Sequence, residues 1–196
     1  MTLWLSAAAN RRILQLGTAF HPLETGGVML GWHDGDDRIV ARVIGPGPRA
    51  MHGRHAFIPD HVWQLEQIGQ AFSASAGDLD YLGDWHTHPD TPAVMSNEDH
   101  MTLRRIGKRV PRAAMLIASL SEKRYESRAW TYNKPGLLAR ARSVETDVRI
   151  FEPPEEWGLE KIGGPSAIQG LSLISNVIVS CRFAATDLAP SPNLRH

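Results

Sequence analysis

The stretch from Gly26 to Ile44 constrains the fold most. Gly26–Trp32 (GGVMLGW) reads as a buried strand, and Arg38–Ile44 (RIVARVI) as the strand that returns beside it. Between them, Asp34-Gly35 in the run His33–Asp37 favours the positive-φ turn of a tight hairpin. A hairpin buries an apolar face only when another element covers it, so helices must pack on this pair. Ile13, Leu14, Leu16 and Phe20 recur at helical intervals and predict such a helix over Ala7–Phe20. It ends at His21-Pro22, because proline cannot continue a helix.

Downstream, Gly45-Pro46-Gly47-Pro48 opens an irregular loop to about Arg54, followed by a short strand over His55–Ile58. Asp60 is placed to cap a helix through Trp63, Leu65 and Ile68 to Phe72. Leu79–Trp85 reads as an interior strand, Pro89–Met95 as a loop, and Ser96 to about Gly107 as a helix. Arg112–Leu120 reads as a core strand, Tyr125–Tyr132 as its hairpin partner, and Asp147–Phe151 as a last strand. Strands interleaved with helices, with no internal period, give an α+β or mixed α/β domain. After Phe151 the texture changes, with Pro153-Pro154, Gly163-Gly164-Pro165 and an apolar run over Ile168–Phe183. The expected organisation is one domain over residues 1–151 and a C-terminal extension of unknown role over 152–196.

A chain of 196 residues buries enough surface to fold without disulfides. Its single cysteine, Cys181, excludes an intrachain disulfide and any zinc site built on several thiolates. Twenty-one basic residues balance 21 acidic ones, which argues against a phosphate-neutralising nucleic-acid binder. The run Arg104, Arg105, Lys108, Arg109 and Arg112 reads as a solvated helix face. No apolar run approaches the ~18 residues that span a bilayer. Met1–Asn10 lacks the positive charge of a signal peptide. A cytoplasmic protein with neither nucleic acid nor membrane as partner is expected.

His86 and His88 are two residues apart, so on an extended segment both imidazoles point to one face. Asp99 follows eleven residues after His88, in the first turn of the expected helix. Two imidazoles and one carboxylate suit zinc and leave a fourth position for water. Each residue taken singly admits a plainer role. An H-x-H pair is common, Ser96-x-x-Asp99 has the form of a capping box, and Glu24 alone is a loop carboxylate.

Taken together, His86-Thr87-His88-Pro89 and Ser96-Asn97-Glu98-Asp99 fit H-x-H-x7-S-x2-D and resemble the JAMM signature of the MPN+/JAB metalloproteases. Glu24-Thr25-Gly26-Gly27-Val28-Met29-Leu30-Gly31 resembles the upstream glutamate and strand of that family. The resemblance covers roughly Ala7–Phe151 and leaves the tail from Glu152 without a counterpart. Tyr81–Pro89, and the Gly45–Pro48 loop with Phe57, are most similar to the short prokaryotic JAB proteins. Those occur in mobile elements and anti-phage operons beside ubiquitin-like E1 and E2 enzymes.

The resemblance implies a cytidine-deaminase-like α/β fold, a curved mixed sheet flanked by helices. It implies one zinc ion on His86, His88 and Asp99, with Glu24 as the proton-transferring base and Ser96 as an oxyanion donor. Ser96 cannot be assigned from sequence between that role and the helix cap. The implied activity is zinc-dependent isopeptidase cleavage. It would remove a ubiquitin-like modifier, or a protein conjugated through its C-terminus, from target amines. The implied partners are the conjugate and the E1/E2-like enzymes of the same operon. Two alternatives stay open: trimming of a C-terminal Gly-Gly tail on a ubiquitin-like or sulfur-carrier protein, and a catalytically silent MPN scaffold. Cytidine-deaminase chemistry itself is excluded, because the chain has no C-x-x-C. Among the neighbours, Trp85 is expected in the core, Thr87 in a structural role and His100 on another helix face. His52, His55 and His61 show no spacing for a second metal site, and Cys181 has no histidine partner.

Overall fold

A computed structural model describes residues 1–121, 124–133, 142–154 and 157. Nine strands and three helices are described, in the order β1 (Thr2–Ser6), α1 (Ala7–Phe20), β2 (Gly26–Asp34), β3 (Asp37–Ile44), β4 (Met51–His52), β5 (Phe57–Ile58) and α2 (His61–Ala74), then β6 (Asp80–Pro89), α3 (Asn97–Gly107), β7 (Ala114–Ser121), β8 (Arg124–Asn133) and β9 (Arg142–Phe151).

Seven strands form one curved mixed sheet in the order β1-β3-β2-β6-β7-β8-β9, which closes because β1 also pairs with β9. β1 runs parallel to both β3 and β9, and β6 runs parallel to β7; the remaining pairs are antiparallel. This is the curved, helix-flanked sheet that the sequence resemblance implied. α1 packs Ala9, Ile13 and Leu16 on one face, against Leu3, Leu5, Met29, Val40, Leu82, Trp85 and Leu116. The other face carries α2 and α3, whose Ile68, Ala71 and Ile106 bury Val28, Leu30 and Tyr81. Leu103 of α3 joins Met115, Ile117 and Trp130 in a third cluster on that side.

Local chemistry explains the helix starts. The Ser6 hydroxyl accepts from the Ala9 N–H at 3.1 Å and donates to the Ala41 carbonyl at 2.8 Å, capping α1 where β1 ends. Asp60 caps α2 through the Trp63 N–H and is held by the Arg49 guanidinium at 3.1 Å. The β2–β3 turn pairs Asp34 with Asp37 around Gly35-Asp36, so the turn centre lies one residue beyond the Asp34-Gly35 dipeptide.

An irregularity in β6 decides which side chains face which layer. The β2–β6 register slips between Met29 and Leu30, so Met29 opposes Gly83, Leu30 opposes Tyr81, and Leu82 is extra. Leu82 and Trp85 therefore both enter the core under α1, and Asp84, His86 and His88 turn to the α2/α3 side. Gly83 has φ +140°, and a Cβ on it would lie 1.8 Å from the Ala114 carbonyl oxygen.

Several sequence expectations need correction. Thr2–Ser6 is a strand, unread in the sequence because its five residues carry no turn signal of their own. β6 continues through the histidines to Pro89, and β9 begins at Arg142 rather than Asp147. Met51–His52 pairs with Phe57–Ile58 as a small separate hairpin. Trp85 is buried as expected, and His100 turns away to meet the Ser143 hydroxyl at 3.1 Å. Arg104, Arg105, Lys108, Arg109 and Arg112 are exposed at the end of α3 and beyond. The run Ile168–Phe183 and Cys181 lie outside the described residues.

The Gly83 contact yields a direct test. Gly83→Ala is expected to destabilise the domain by about 3 kcal/mol or more, since backbone must move to admit the methyl group. Gly35 has φ +54° with open space around it, and Gly35→Ala should cost only about 1 kcal/mol of left-handed strain. Urea unfolding of both variants checks the contrast.

Candidate metal centre

Three side chains converge from two elements. His86 and His88 project from β6 towards α3, and Asp99 stands in the first turn of α3. The two Nε2 atoms are 3.1 Å apart, His86 Nε2 lies 3.2 Å from Asp99 Oδ1, and His88 Nε2 lies 3.7 Å from Asp99 Oδ2. Zinc bonds of about 2.0–2.1 Å in a tetrahedron separate neighbouring donors by about 3.3 Å, so the spacing and the donor types fit that ion. Each of the three side chains is about one-seventh exposed, enough for a substrate to approach. Among the described residues this is the one group of histidines and carboxylates so gathered.

The surroundings prepare each donor. His88 Nδ1 donates to the Pro92 carbonyl at 3.3 Å, which leaves Nε2 without its proton and free to bind. Burial and the neighbouring His86 keep His88 below the ordinary imidazole pKa, hence neutral. Burial by itself raises the Asp99 pKa. Hydrogen bonding and charge from His86, with the amide and hydroxyl of Ser96, outweigh it and hold the carboxyl well below its usual range. The Ser96–Asp99 contacts form a reciprocal capping box: the Ser96 N–H and hydroxyl each donate to Asp99 Oδ2 at 2.8 Å, and the Asp99 N–H donates to Ser96 Oγ at 3.1 Å. In this structure the Ser96 hydroxyl is thus engaged as the cap.

Glu24 lies between α1 and β2 and lines the same cleft. Its N–H donates to the Gly53 carbonyl at 2.8 Å, and its own carbonyl accepts from His52 Nδ1 at 2.9 Å. The next residue is clamped to β6. Thr87 Oγ1 accepts from the Thr25 N–H at 3.0 Å, and the Thr87 N–H donates to the Thr25 carbonyl at 2.8 Å. The buried Thr87, turned away from the metal centre, is therefore structural. Burial pushes the Glu24 carboxyl up to about 7; His86 opposes this, and Asp99 and Glu98 reinforce it. That value suits a group that both accepts and returns a proton near neutrality.

The cleft is about 560 Å³ and is walled by the β4–β5 hairpin and α2 on one side and by α3 on the other. Gly26 makes the wall possible, because a Cβ there would meet His86 Cβ and Phe57 Cε1 at 2.9 Å. His55 and His61 line the cleft, whereas the His52 ring stacks on Phe20 at 3.9 Å; none of the three joins a metal cluster among the described residues. Sequence reading passed over Asp84, which lines the cleft and receives the Tyr81 hydroxyl at 2.7 Å on Oδ1. Burial pushes its carboxyl up to about 6, against the pull of Tyr81 and His86. Its alternation with His86 and His88 is the signal that could have marked it.

Comparison with known proteins places this geometry. The family described as prokaryotic homologs of the JAB domain matches residues 6–133. A probable metalloprotease of Sinorhizobium fredii is 30% identical over 134 residues, which are 65% of this chain and 82% of that protein. A CD-NTase/cGAS isopeptidase of Vibrio cholerae is 33% identical over 82 residues, 42% of this chain and 53% of its own. An Escherichia coli protein with the same name is 27% identical over 73 residues, and this chain spans about half of each isopeptidase. The solution structure of protein DSY2949 from Desulfitobacterium hafniense superposes with TM-score 0.60 at 24% identity, over 79% of this chain and 97% of that one, which speaks for the fold. A matched family over most of the domain, together with the convergence of His86, His88 and Asp99 in one cleft, makes this chain a member of the prokaryotic JAB-domain family of metalloproteases and isopeptidases.

Proposed function

We propose that this protein is a zinc-dependent isopeptidase that frees a ubiquitin-like modifier, or a protein conjugated through its C-terminus, from target amines. The carrying observation is that Glu24, a carboxyl raised to about 7, shares one cleft with the complete His86, His88 and Asp99 set. That completeness also counts against a silent scaffold. The isopeptidases among its relatives support the bond type. The setting we propose is a cytoplasmic anti-phage operon with E1/E2-like partners. Residues 1–151 serve as the catalytic domain and 152–196 as an extension of it.

His86, His88 and Asp99 would hold a zinc ion, which when bound would supply Lewis acidity to a water molecule. Glu24 takes the proton from the attacking water and delivers it to the departing amine, so a poor leaving group departs neutral. The Ser96 hydroxyl, by rotating away from Asp99 Oδ2, donates to the oxyanion that develops on the carbonyl. The substrate enters as an extended tail. β4 covers one edge of β5, and among the described residues no strand pairs with the other. Main-chain pairing along Phe57–Ile58 seats the tail beside the metal centre, as in strand addition. Small residues at the cleavage point are favoured, because Ser96 and Glu24 line the cleft beside the metal-site residues and would crowd the scissile carbonyl.

Purified protein is expected to hold about one zinc per chain. Elemental analysis of the His86→Ala/His88→Ala double variant should find none, and full occupancy there would remove this site. Glu24→Gln should keep the ion and lose turnover by ~10²–10⁴-fold, measured on conjugates made by the operon's own E1/E2-like enzymes. Near-normal cleavage by that variant would place the base elsewhere.

Glu24 also predicts a pH effect on the metal-free protein. Its carboxyl holds a proton more tightly folded than unfolded, so stability falls as pH rises from about 4.5 to about 7. Glu24→Gln abolishes that loss. Thermal melts of the two proteins should coincide below about pH 4.5 and separate above about pH 7, with the variant melting higher.

A further inference from the structure

The cleft continues past the metal centre. On β6 the row facing it is Asp84, His86 and His88, with successive members about 7 Å apart along a strand. Asp84 lies one step further in, opposite Val28 of β2 and Met115 of β7. Its Oδ1 receives the Tyr81 hydroxyl at 2.7 Å. Asp84 itself lines the cleft, and among the described residues its carboxylate has no hydrogen bond besides the one from Tyr81. His61 Nδ1, also on the cleft wall, is buried without a hydrogen-bond partner. Ile58, Ile106 and Met115 line the same cleft, and Met115 stands directly opposite Asp84 across the β6–β7 pair.

The charge of the cleft points the same way. Its lining holds four carboxylates, Glu24, Asp84, Glu98 and Asp99, and neither lysine nor arginine. A divalent ion held by His86, His88 and Asp99 would balance two of these four charges and leave two over in the cleft. A carboxylate with a single hydrogen bond, in a cleft that apolar side chains also line, is the complement of a cationic donor on an apolar stem. Along β6, Asp84 stands about 7 Å from His86, a span comparable with an extended lysine or arginine side chain.

We propose that Asp84 is a specificity-determining residue, which binds the ammonium or guanidinium of a lysine or arginine next to the cleaved bond. The proposal takes its substrate type from the isopeptidase reading, while the binding it describes does not require cleavage. Ile58, Ile106 and Met115 receive the methylene stem, and Asp84 the charged head. A basic side chain beside the scissile bond then fixes how far the tail slides into the cleft.

The test uses short peptides in which Gly-Gly is joined to a lysine ε-amine, with one arginine moved through the positions on either side of the bond. Citrulline, neutral and of the same shape, replaces arginine in the matched set, and a lysine/norleucine pair repeats the comparison. Binding to zinc-loaded Glu24→Gln protein is followed by fluorescence anisotropy, so that nothing is turned over. At one position arginine should bind roughly tenfold tighter than citrulline. Adding Asp84→Asn should abolish that preference and leave citrulline peptides binding as before; Glu98→Gln should leave the preference in place. No preference at any position, a preference that survives Asp84→Asn, or equal weakening of arginine and citrulline peptides would each overturn the assignment. Zinc-loaded wild-type protein that binds the arginine peptides selectively but cleaves none would count against the isopeptidase reading alone.

Discussion

The extra residue at Leu82-Gly83 is the feature on which the site depends. Strict alternation from Leu82 would carry Asp84 and both histidines into the core under α1, where no charged group is tolerated unpaired. The register slip against β2 resets the phase, so that Leu82 and Trp85 share the interior and the polar row turns outward. Glycine is required there, since the backbone of β7 passes where a Cβ would sit. The indole of Trp85 then locks the new phase by donating to the Ile44 carbonyl at 3.1 Å. A bulge beside a reactive site re-aims side chains in this way without interrupting the sheet.

The start of α3 joins folding and the placement of the Asp99 carboxylate in one set of bonds. Asp99 must present an oxygen towards His86 at an angle no free side chain would keep. Its other oxygen is fixed by the amide and hydroxyl of Ser96, so the bonds that begin the helix also orient the carboxylate. Glu24 is fixed by different means, through its backbone. Thr87 beside the histidines and the β4–β5 hairpin hold the segment from either side. Among the described residues the carboxyl itself has no hydrogen-bond partner, which suits the proton transfer proposed for it.

Much of this was legible in the sequence. α1, the β2–β3 hairpin, the Asp60 cap and the ligand-bearing motif each rest on local chemistry: helical spacing, turn residues, a capping oxygen, paired histidines. What escaped reading is long-range. Thr2–Ser6 becomes a strand because β3 and β9 are there to pair with it, and nothing within five residues announces this. The phase of β6 depends on β2 slipping against it, so Asp84 reads as one more acid until its partners are known. The role of Ser96 stood between cap and donor, and the structure shows the cap because hydrogen bonds to Asp99 satisfy it in the resting state.

The closure of the sheet has a consequence for how the chain acquires its shape. β1 is the first strand described, and its full partner β9 is the last, with Leu5 opposite Ile150. A ribosome delivers these two segments at opposite ends of the domain's synthesis, so the ring cannot be sealed progressively as the chain emerges. β1 can dock early on β3, by three residue pairs, but its outer edge stays open until residue 151 is free. Because that late contact is so distant in sequence, it sets a high entropic threshold for completing the fold. Assembly of the domain is thus a finishing event, with the newest strand closing on the oldest.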